Sequence, residues 1–254
     1  LSFQIDPSIR VVALVGAGGK TSCMFRLAAE IAATGRRVVT TTTTKIFPPK
    51  AGQSPTLLLF NEDPRLETLP RLLAATGHVT VGRGVLPNGK LDGISETDLE
   101  TILEYADVAV VEADGAAGRP VKAPEPWEPV IPANADLVIP IVGLDCVGKP
   151  ATEAVVFRLD RFLSVTGISE GDAITPIALA RLFSSPEGSL SRVPPRARVA
   201  PLLNKVDLLD SRYAMEEIAG SILSLAGSRI MRIVAARLRD PIEAWVYGNG
   251  LKIP

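Results

Sequence analysis

The sequence predicts an α/β protein, a mainly parallel sheet with helices on both faces. Short apolar strands alternate with amphipathic helices along the chain, which is the pattern of repeated βαβ units. The first strand breaks into a glycine-rich turn that runs straight into a helix. The 254 residues, 46% of them hydrophobic, suffice to bury a large core.

The elements follow in order. Arg10 to Val15 is a compact apolar run, read as a strand buried on both faces. Lys20 to Thr34 carries apolar residues at Phe25, Leu27, Ala28 and Ile31, a helical spacing closed by Gly35. Arg37 to Thr43 and Thr56 to Phe60 are strands. Pro64 to Ala75 reads as a helix, and His78 to Val85 alternates as a strand. Leu86 to Gly93 is a turn region. Ser95 opens a helix to Tyr105, with Asp98 placed as in a capping box. Ala106 to Ala113 is an apolar strand ending in acids.

Gly115 to Pro132 is rich in proline and glycine and reads as an ordered functional loop. Asp136 to Val142 is a strand. Phe157 to Val165 and Pro176 to Phe183 are helical, and Ser184 to Pro195 is loop. Arg198 to Leu203 is a strand, Tyr213 to Leu225 a helix, Arg229 to Ala235 a strand and Pro241 to Tyr247 a last helix. This organisation suggests one domain over residues 1–254, with a helical insertion at about 150–195.

Bulk properties narrow the function. A formal net charge of −1 leaves no electrostatic footprint for nucleic acid or an anionic membrane. The two cysteines, Cys23 and Cys146, are far apart without metal-ligand spacing, which favours a reducing compartment. His78 is the single histidine, which disfavours a His-based metal site or a Ser/His/Asp triad. No signal-peptide pattern or membrane-length apolar run is visible, so the expectation is a cytoplasmic location.

Four motifs fall at the carboxyl ends of predicted strands, where parallel sheets hold ligands. The first is Gly16-Ala17-Gly18-Gly19-Lys20-Thr21-Ser22. Its glycines let several backbone N–H groups face one anion, and the helix adds its positive end. Lys20 would bridge the β- and γ-phosphates, and the Thr21 hydroxyl would ligate Mg²⁺. The pattern is shorter than G-x-x-x-x-G-K-[ST], because Leu14 stands where the first glycine belongs, and it looks like the short loops of Mur ligases. The bland alternative is a glycine turn with an exposed lysine.

The second motif is the end of the threonine run. Thr43 is a candidate Mg²⁺ ligand, and Thr44 and Lys45 are candidate nucleotide contacts. The third, Glu112 and Asp114, resembles a Walker B strand end. Acids at i and i+2 point the same way, so both are candidates for holding a metal or orienting a water, alongside Lys20 as the catalytic set. Arg119 and Lys122 lie just beyond, where phosphate or a second substrate is in reach.

The fourth motif, Asn204-Lys205-Val206-Asp207, matches the guanine-reading pattern Asn-Lys-x-Asp. The Asp207 carboxylate would accept from guanine N1–H and the 2-amino group, with the Lys205 stem over the base. Cys146, between Gly143 and Gly148, reads as a small buried residue rather than a reactive thiol. Asp145 and Lys149 are plausible second-substrate contacts.

Four stretches together resemble the YqeC family of selenium-dependent hydroxylase accessory proteins. They are Val-Gly-Ala-Gly-Gly-Lys-Thr-Ser, Thr-Thr-Thr-Thr-Lys-Ile-Phe, Val-Glu-Ala-Asp-Gly-Ala-Ala-Gly-Arg-Pro-Val-Lys-Ala-Pro-Glu and Val-Gly-Leu-Asp-Cys-Val-Gly-Lys-Pro. The resemblance implies a P-loop NTPase-like protein that assists maturation of selenium-containing molybdenum hydroxylases. Its motifs fall on Gly16 to Thr21, Thr43 to Lys45, Glu112 to Gly115, Arg119, Lys122 and Asp145. No cysteine lies in the acidic loop, which argues against selenium carried directly on a thiol there.

The combined expectation is Mg²⁺-dependent binding and hydrolysis of GTP or ATP, with GTP favoured. The partners are the nucleoside triphosphate and a molybdenum hydroxylase or its cofactor. Two rivals stay open: an NTP-dependent transferase or ligase activating a small substrate, and a non-catalytic cofactor-binding chaperone.

Overall fold

The structure, a computed structural model, describes residues 3–209, 212–239, 241–248 and 251–253. The chain opens with β1 (Val11–Gly16), α1 (Lys20–Ala32), β2 (Val38–Thr42), β3 (Lys45–Ile46), β4 (Leu57–Leu59), α2 (Leu69–Thr76) and β5 (His78–Gly82). It continues through β6 (Leu91–Asp92), α3 (Glu96–Tyr105), β7 (Val108–Glu112), β8 (Val121–Lys122), β9 (Leu137–Gly143) and β10 (Val156–Phe157). The remainder is α4 (Leu159–Thr166), α5 (Pro176–Ser184), β11 (Arg198–Val199), β12 (Leu202–Asn204), α6 (Arg212–Ala226), β13 (Arg232–Arg237), β14 (Glu243–Gly248) and β15 (Leu251–Ile253).

Among the described residues, 11 strands form one sheet, ordered β15-β14-β13-β12-β9-β1-β7-β2-β5-β4, with β11 beside β9. All pairings from β13 to β4 are parallel, and β14 and β15 add an antiparallel edge. The chain runs outward from β1 in both directions, to β7 and β2 on one side and to β9 and β12 on the other. The crevice at such a reversal, outside the carboxyl ends of the strands, is where ligands bind in open α/β sheets.

The alternation along β1 builds both faces at once. Val12 and Leu14 pack with Phe25, Leu27 and Ile31 of α1. Val11, Ala13 and Val15 face the opposite cluster, which holds Leu69 and Leu73 of α2 and Leu99 and Ile102 of α3. Full burial of each large aliphatic side chain contributes about 1.5–3 kcal/mol. Farther along that second face, α4, α5 and α6 pack with Val142, Leu203, Ile233 and Ala235. Helices therefore cover both faces, as the alternating pattern implies. The two helices within 150–195 are α4 and α5.

Several local signals act as read. Ser95 Oγ accepts from Asp98 N–H at 3.1 Å, and Asp98 Oδ2 accepts from Ser95 N–H at 2.9 Å, a reciprocal capping box. The expected helix from Pro64 begins only at Leu69. Asp63 ties down the amides of Glu67 and Thr68, and Leu66 takes a φ of +52°, so the first residues form a knot of turns instead.

The expected last helix at Pro241 to Tyr247 is a strand, β14, antiparallel to β13. Its Trp-Val-Tyr run suits a pleated, half-buried surface, and Trp245 and Tyr247 pack against the α4–α6 cluster. Arg237 closes the turn, donating to Pro241 O at 2.8 Å and to Glu243 Oε1 at 2.9 Å.

Two small ribbons lie off the main sheet. β3 pairs antiparallel with β6, inside a stretch read as turn, and β8 pairs with β10, one inside the proline-rich loop and the other at an expected helix start. Helix α4 begins at Leu159 rather than Phe157.

Candidate nucleotide-binding site

Gly18 and Gly19 make the turn after β1 possible. Both have positive φ, +83° and +136°. A Cβ on Gly18 would collide with the backbone of Gly143 and with Pro120 O, and one on Gly19 with the Asn204 amide. The loop is thus wedged between the end of β9, the proline-rich segment and the Asn204 motif.

The loop leaves a specific set of donors open. Gly16 N–H goes to Asp114 Oδ2 at 2.9 Å and Ala17 N–H to Ile141 O at 2.9 Å. Their amides are committed inside the fold, so neither residue offers its N–H to a ligand here. Gly19 caps α1 without a side-chain acceptor, and no acid stands in the first turn. The positive end of a 13-residue helix therefore opens into the crevice.

Lys20 lies folded back within the loop, only 5% exposed. Its Nζ donates to Gly16 O at 2.6 Å, and lies 3.0 Å from Asp114 Oδ1 and 3.9 Å from Glu112 Oε1. Thr21 Oγ1 donates to Glu112 Oε2 at 2.8 Å. One carboxylate thus joins the loop lysine to the loop threonine. Burial raises the Glu112 carboxyl above its ordinary value, against the pull of Lys20 and the Thr21 hydroxyl, with Asp114 adding to the rise.

Glu112 and Asp114 both reach Lys20, as their i, i+2 spacing implies, but they are not equivalent. Glu112 lines the crevice; Asp114 is buried behind it, between Lys20 and Lys122. Lys122 is itself buried. It donates to Gly115 O at 2.7 Å, pairs with Glu128 at 3.0 Å, and lies over the Phe157 ring at 5.4 Å from its centroid. Lys122, expected near a ligand, and Glu128, for which nothing was expected, instead form a charge chain behind the loop, buried at Lys122 and half-buried at Glu128.

The crevice has a volume of about 700 Å³. Its walls bring together Gly18 to Ser22, Lys45, Glu112, the Gly115–Arg119 turn and, from far along the chain, Asn204, Lys205 and Asp207. Asn204 Nδ2 donates to Gly18 O at 2.7 Å, which fastens the fourth motif to the first. Lys205, with φ +64°, pairs through Nζ with Asp145 Oδ2 at 2.8 Å, so Asp145 serves Lys205. Asp207 is exposed at the crevice wall. Arg237, Leu238 and Arg239, just after β13, close that end and were not anticipated.

The threonine run behaves differently from its expectation as a ligand set. Thr43 donates its hydroxyl to Val130 O at 2.7 Å, and Thr44 sits with its hydroxyl 3.3 Å from that of Thr42. Neither lines the crevice, whereas Lys45 does. Arg119 lines it too, with Nε donated to Glu153 O at 2.6 Å. Cys146 is fully buried, its thiol pushed up to about 12 by desolvation, consistent with an inert packing residue. Among the described residues, no cluster of three or more His, Cys, Asp or Glu forms a metal-ligand group.

A parallel sheet reversing at β1, a glycine loop opening α1, and an acid-ended β7 directly beside it define a P-loop NTPase-like α/β fold. The chain belongs to the YqeC family: the family profile described as YqeC protein matches residues 12–160. The protein named YqeC from Escherichia coli (strain K12) is 32% identical over 211 residues, covering 82% of this chain and 80% of that protein. Among solved structures, the chain is similar to FtsY from Mycoplasma mycoides. One crystal form gives a TM-score of 0.43 at 14% identity, covering 89% of this chain and 59% of that one. A second gives 0.39 at 12%, covering 89% and 60%. The match thus spans about three-fifths of the FtsY chains.

Proposed function

We propose that this protein binds a nucleoside triphosphate with Mg²⁺ and hydrolyses it, with guanine preferred over adenine. The observation that carries this reading is the buried Lys20, held among Gly16 O, Asp114 and Glu112 beneath an uncapped helix N-terminus. Several backbone donors and one poised ammonium are what a polyphosphate needs.

The residues present suit Mg²⁺. Thr21 Oγ1 and Glu112 Oε2, 2.8 Å apart, are hard oxygen donors facing the crevice. Mg²⁺ takes one or two such protein ligands and completes its shell with water and phosphate. When bound it would neutralise charge on the phosphates. Lys20 then moves from the carboxylates to the β- and γ-phosphate oxygens, and the open amides of α1 orient the chain of phosphates. Asp114 keeps the loop in place from behind. A water attacks the γ-phosphorus in line as the bond to the bridging oxygen breaks, the nucleoside diphosphate leaves, and the water's proton passes to the released phosphate.

At the other end, Asp207 reads the guanine N1–H and 2-amino group. Asn204 links that end to Gly18, and Lys205, held by Asp145, lies alongside the base. We further infer a setting from the motif resemblance: the hydrolysis cycle would assist maturation of selenium-dependent molybdenum hydroxylases in the cytoplasm. Within that reading the α4–α5 segment is a helical insertion in one P-loop NTPase-like domain.

Calorimetric titration with GTP and with ATP, each with and without Mg²⁺, tests the reading. Mg²⁺-dependent binding with GTP favoured is expected. Binding of neither nucleotide overturns it, and preference for ATP overturns the guanine assignment. For the setting, cells lacking the gene should lose molybdenum hydroxylase activity and recover it with the wild-type chain but not with Lys20→Ala.

A further inference from the structure

The crevice extends from the glycine loop to the β3–β6 ribbon, and its ribbon end has a distinct composition. Eight lysines and arginines line it against two carboxylates, in a chain whose net charge is −1. Several of these cations are occupied: Lys20 by Asp114, Lys205 by Asp145 and Arg237 by Glu243. Lys45, Lys50 and Lys90 have no carboxylate partner among the described residues.

These three lysines lie on or beside the β3–β6 ribbon. The register pairs Lys45 with Asp92 and Ile46 with Leu91, which sets Phe47 opposite Lys90. Lys90 Nζ lies 5.0 Å from the centroid of the Phe47 ring, and Phe47 is 64% exposed. An aromatic ring left this open at a crevice wall, framed by unpaired ammonium groups, is a stacking platform with a charge clamp around it.

The sheet order separates this platform from the base end. The ribbon follows β2, whereas Asp207 and Arg237 follow β12 and β13, with the β7 and β1 ends between them. A nucleotide with its base at Asp207 and its phosphates at Lys20 therefore leaves the ribbon side vacant, beyond the terminal phosphate.

We propose that the ribbon corner formed by Phe47, Lys50 and Lys90 binds a second small substrate, an organic anion bearing a flat ring, next to the terminal phosphate of the nucleotide. The inference rests on the nucleotide reading above, since the nucleotide supplies the neighbouring wall. Anionic oxygens pair with Lys50 and Lys90, and the ring stacks on Phe47. A crevice of about 700 Å³ is of the size that takes small molecules.

The test uses the full chain saturated with Mg²⁺ and a slowly hydrolysed GTP analogue, whose own affinity is measured separately by calorimetry. Riboflavin 5′-phosphate and AMP, both flat-ringed phosphate esters, are then titrated in. At least one is expected to bind without displacing the analogue, with affinity that falls as salt is raised. Phe47→Ala and Lys90→Ala should each weaken that binding by about fivefold or more while leaving analogue affinity unchanged.

Four results overturn the proposal: neither ring phosphate binds, they compete with the analogue, the ribbon variants have no effect, or only a ten-nucleotide RNA binds at the ribbon. Failure of the analogue itself to bind is a different result, because it removes the nucleotide reading on which the proposal stands.

Discussion

Lys20 Nζ lies 3.0 Å from Asp114 Oδ1, while Asp114 Oδ2 accepts the Gly16 amide at 2.9 Å. One buried carboxylate therefore holds both the first glycine of the loop and the lysine that ends it. A loop with this anchor is held in one conformation by the fold itself.

Replacing Lys20 should remove phosphate affinity more than fold. Lys20→Ala is expected to weaken nucleotide binding by at least about a hundredfold, and Lys20→Arg should not restore it, because a guanidinium fork does not fit where one ammonium sits among three oxygens. Calorimetry on both variants checks this, and near-normal affinity in either would count against a phosphate role.

Asp114 should matter first for stability. Asp114→Asn removes the charge between two buried lysines, Lys20 and Lys122, and is expected to cost about 3 kcal/mol in urea unfolding. A change within about 0.5 kcal/mol, the range of ordinary surface substitutions, would show that the anchor is unimportant.

Base selectivity should reside in Asp207. An asparagine amide presents a donor where guanine also presents one. Asp207→Asn is therefore expected to lower GTP affinity by tens of fold, with ATP affinity little changed, and to favour a base with a carbonyl at the 2-position. Competition binding with GTP, ATP and XTP measures all three. Unchanged GTP affinity would remove Asp207 from the base site.

The Glu112 carboxyl is raised by burial, so its ionisation opposes folding. Its contribution to stability is present below the ordinary value of 4.5 and is lost as pH rises through the raised one. Cation binding runs the opposite way, because Mg²⁺ needs the carboxylate. Mg²⁺-dependent nucleotide affinity should fall as pH drops through the raised value, and Glu112→Gln should be weak and flat over the same range. A wild-type profile as flat as that of the variant would contradict this.

His78 is buried and neutral, with Nε2 3.0 Å from Thr40 Oγ1, and desolvation holds it down to about 4. A depressed histidine gives stability that is complete above its ordinary 6.5 and is lost as pH falls toward 4. The loss attributable to this group is about 3 kcal/mol. Unfolding measured from pH 7 to 4 should show it, and His78→Gln should flatten the curve. Parallel curves for the two proteins would overturn the assignment.

The loop, the acidic strand end and the Asn204 motif were legible because each is a local pattern at a strand end, and parallel β-sheet topology gathers strand ends at one edge. What local pattern misses is decided by distant partners. Ile46 and Leu91 form strands only because they meet each other. Trp245 and Tyr247 take an extended form because β13 and the α4–α6 cluster offer a surface, whereas the sequence alone read a helix there. Thr43 has the right residue type for a ligand, yet Val130 O takes its hydroxyl. Asp114 and Lys122 look like crevice residues in one dimension and are buried in three.

The hydrogen bond from Asn204 to Gly18 spans 186 positions in the sequence. The family profile ends at residue 160, so it contains the glycine loop but not the side chain that fastens it. A fragment trimmed to the matched region would keep every recognisable loop residue and lose their brace. Relatives in this family are therefore best compared over their full length, because whether the loop of each is braced depends on what stands at position 204.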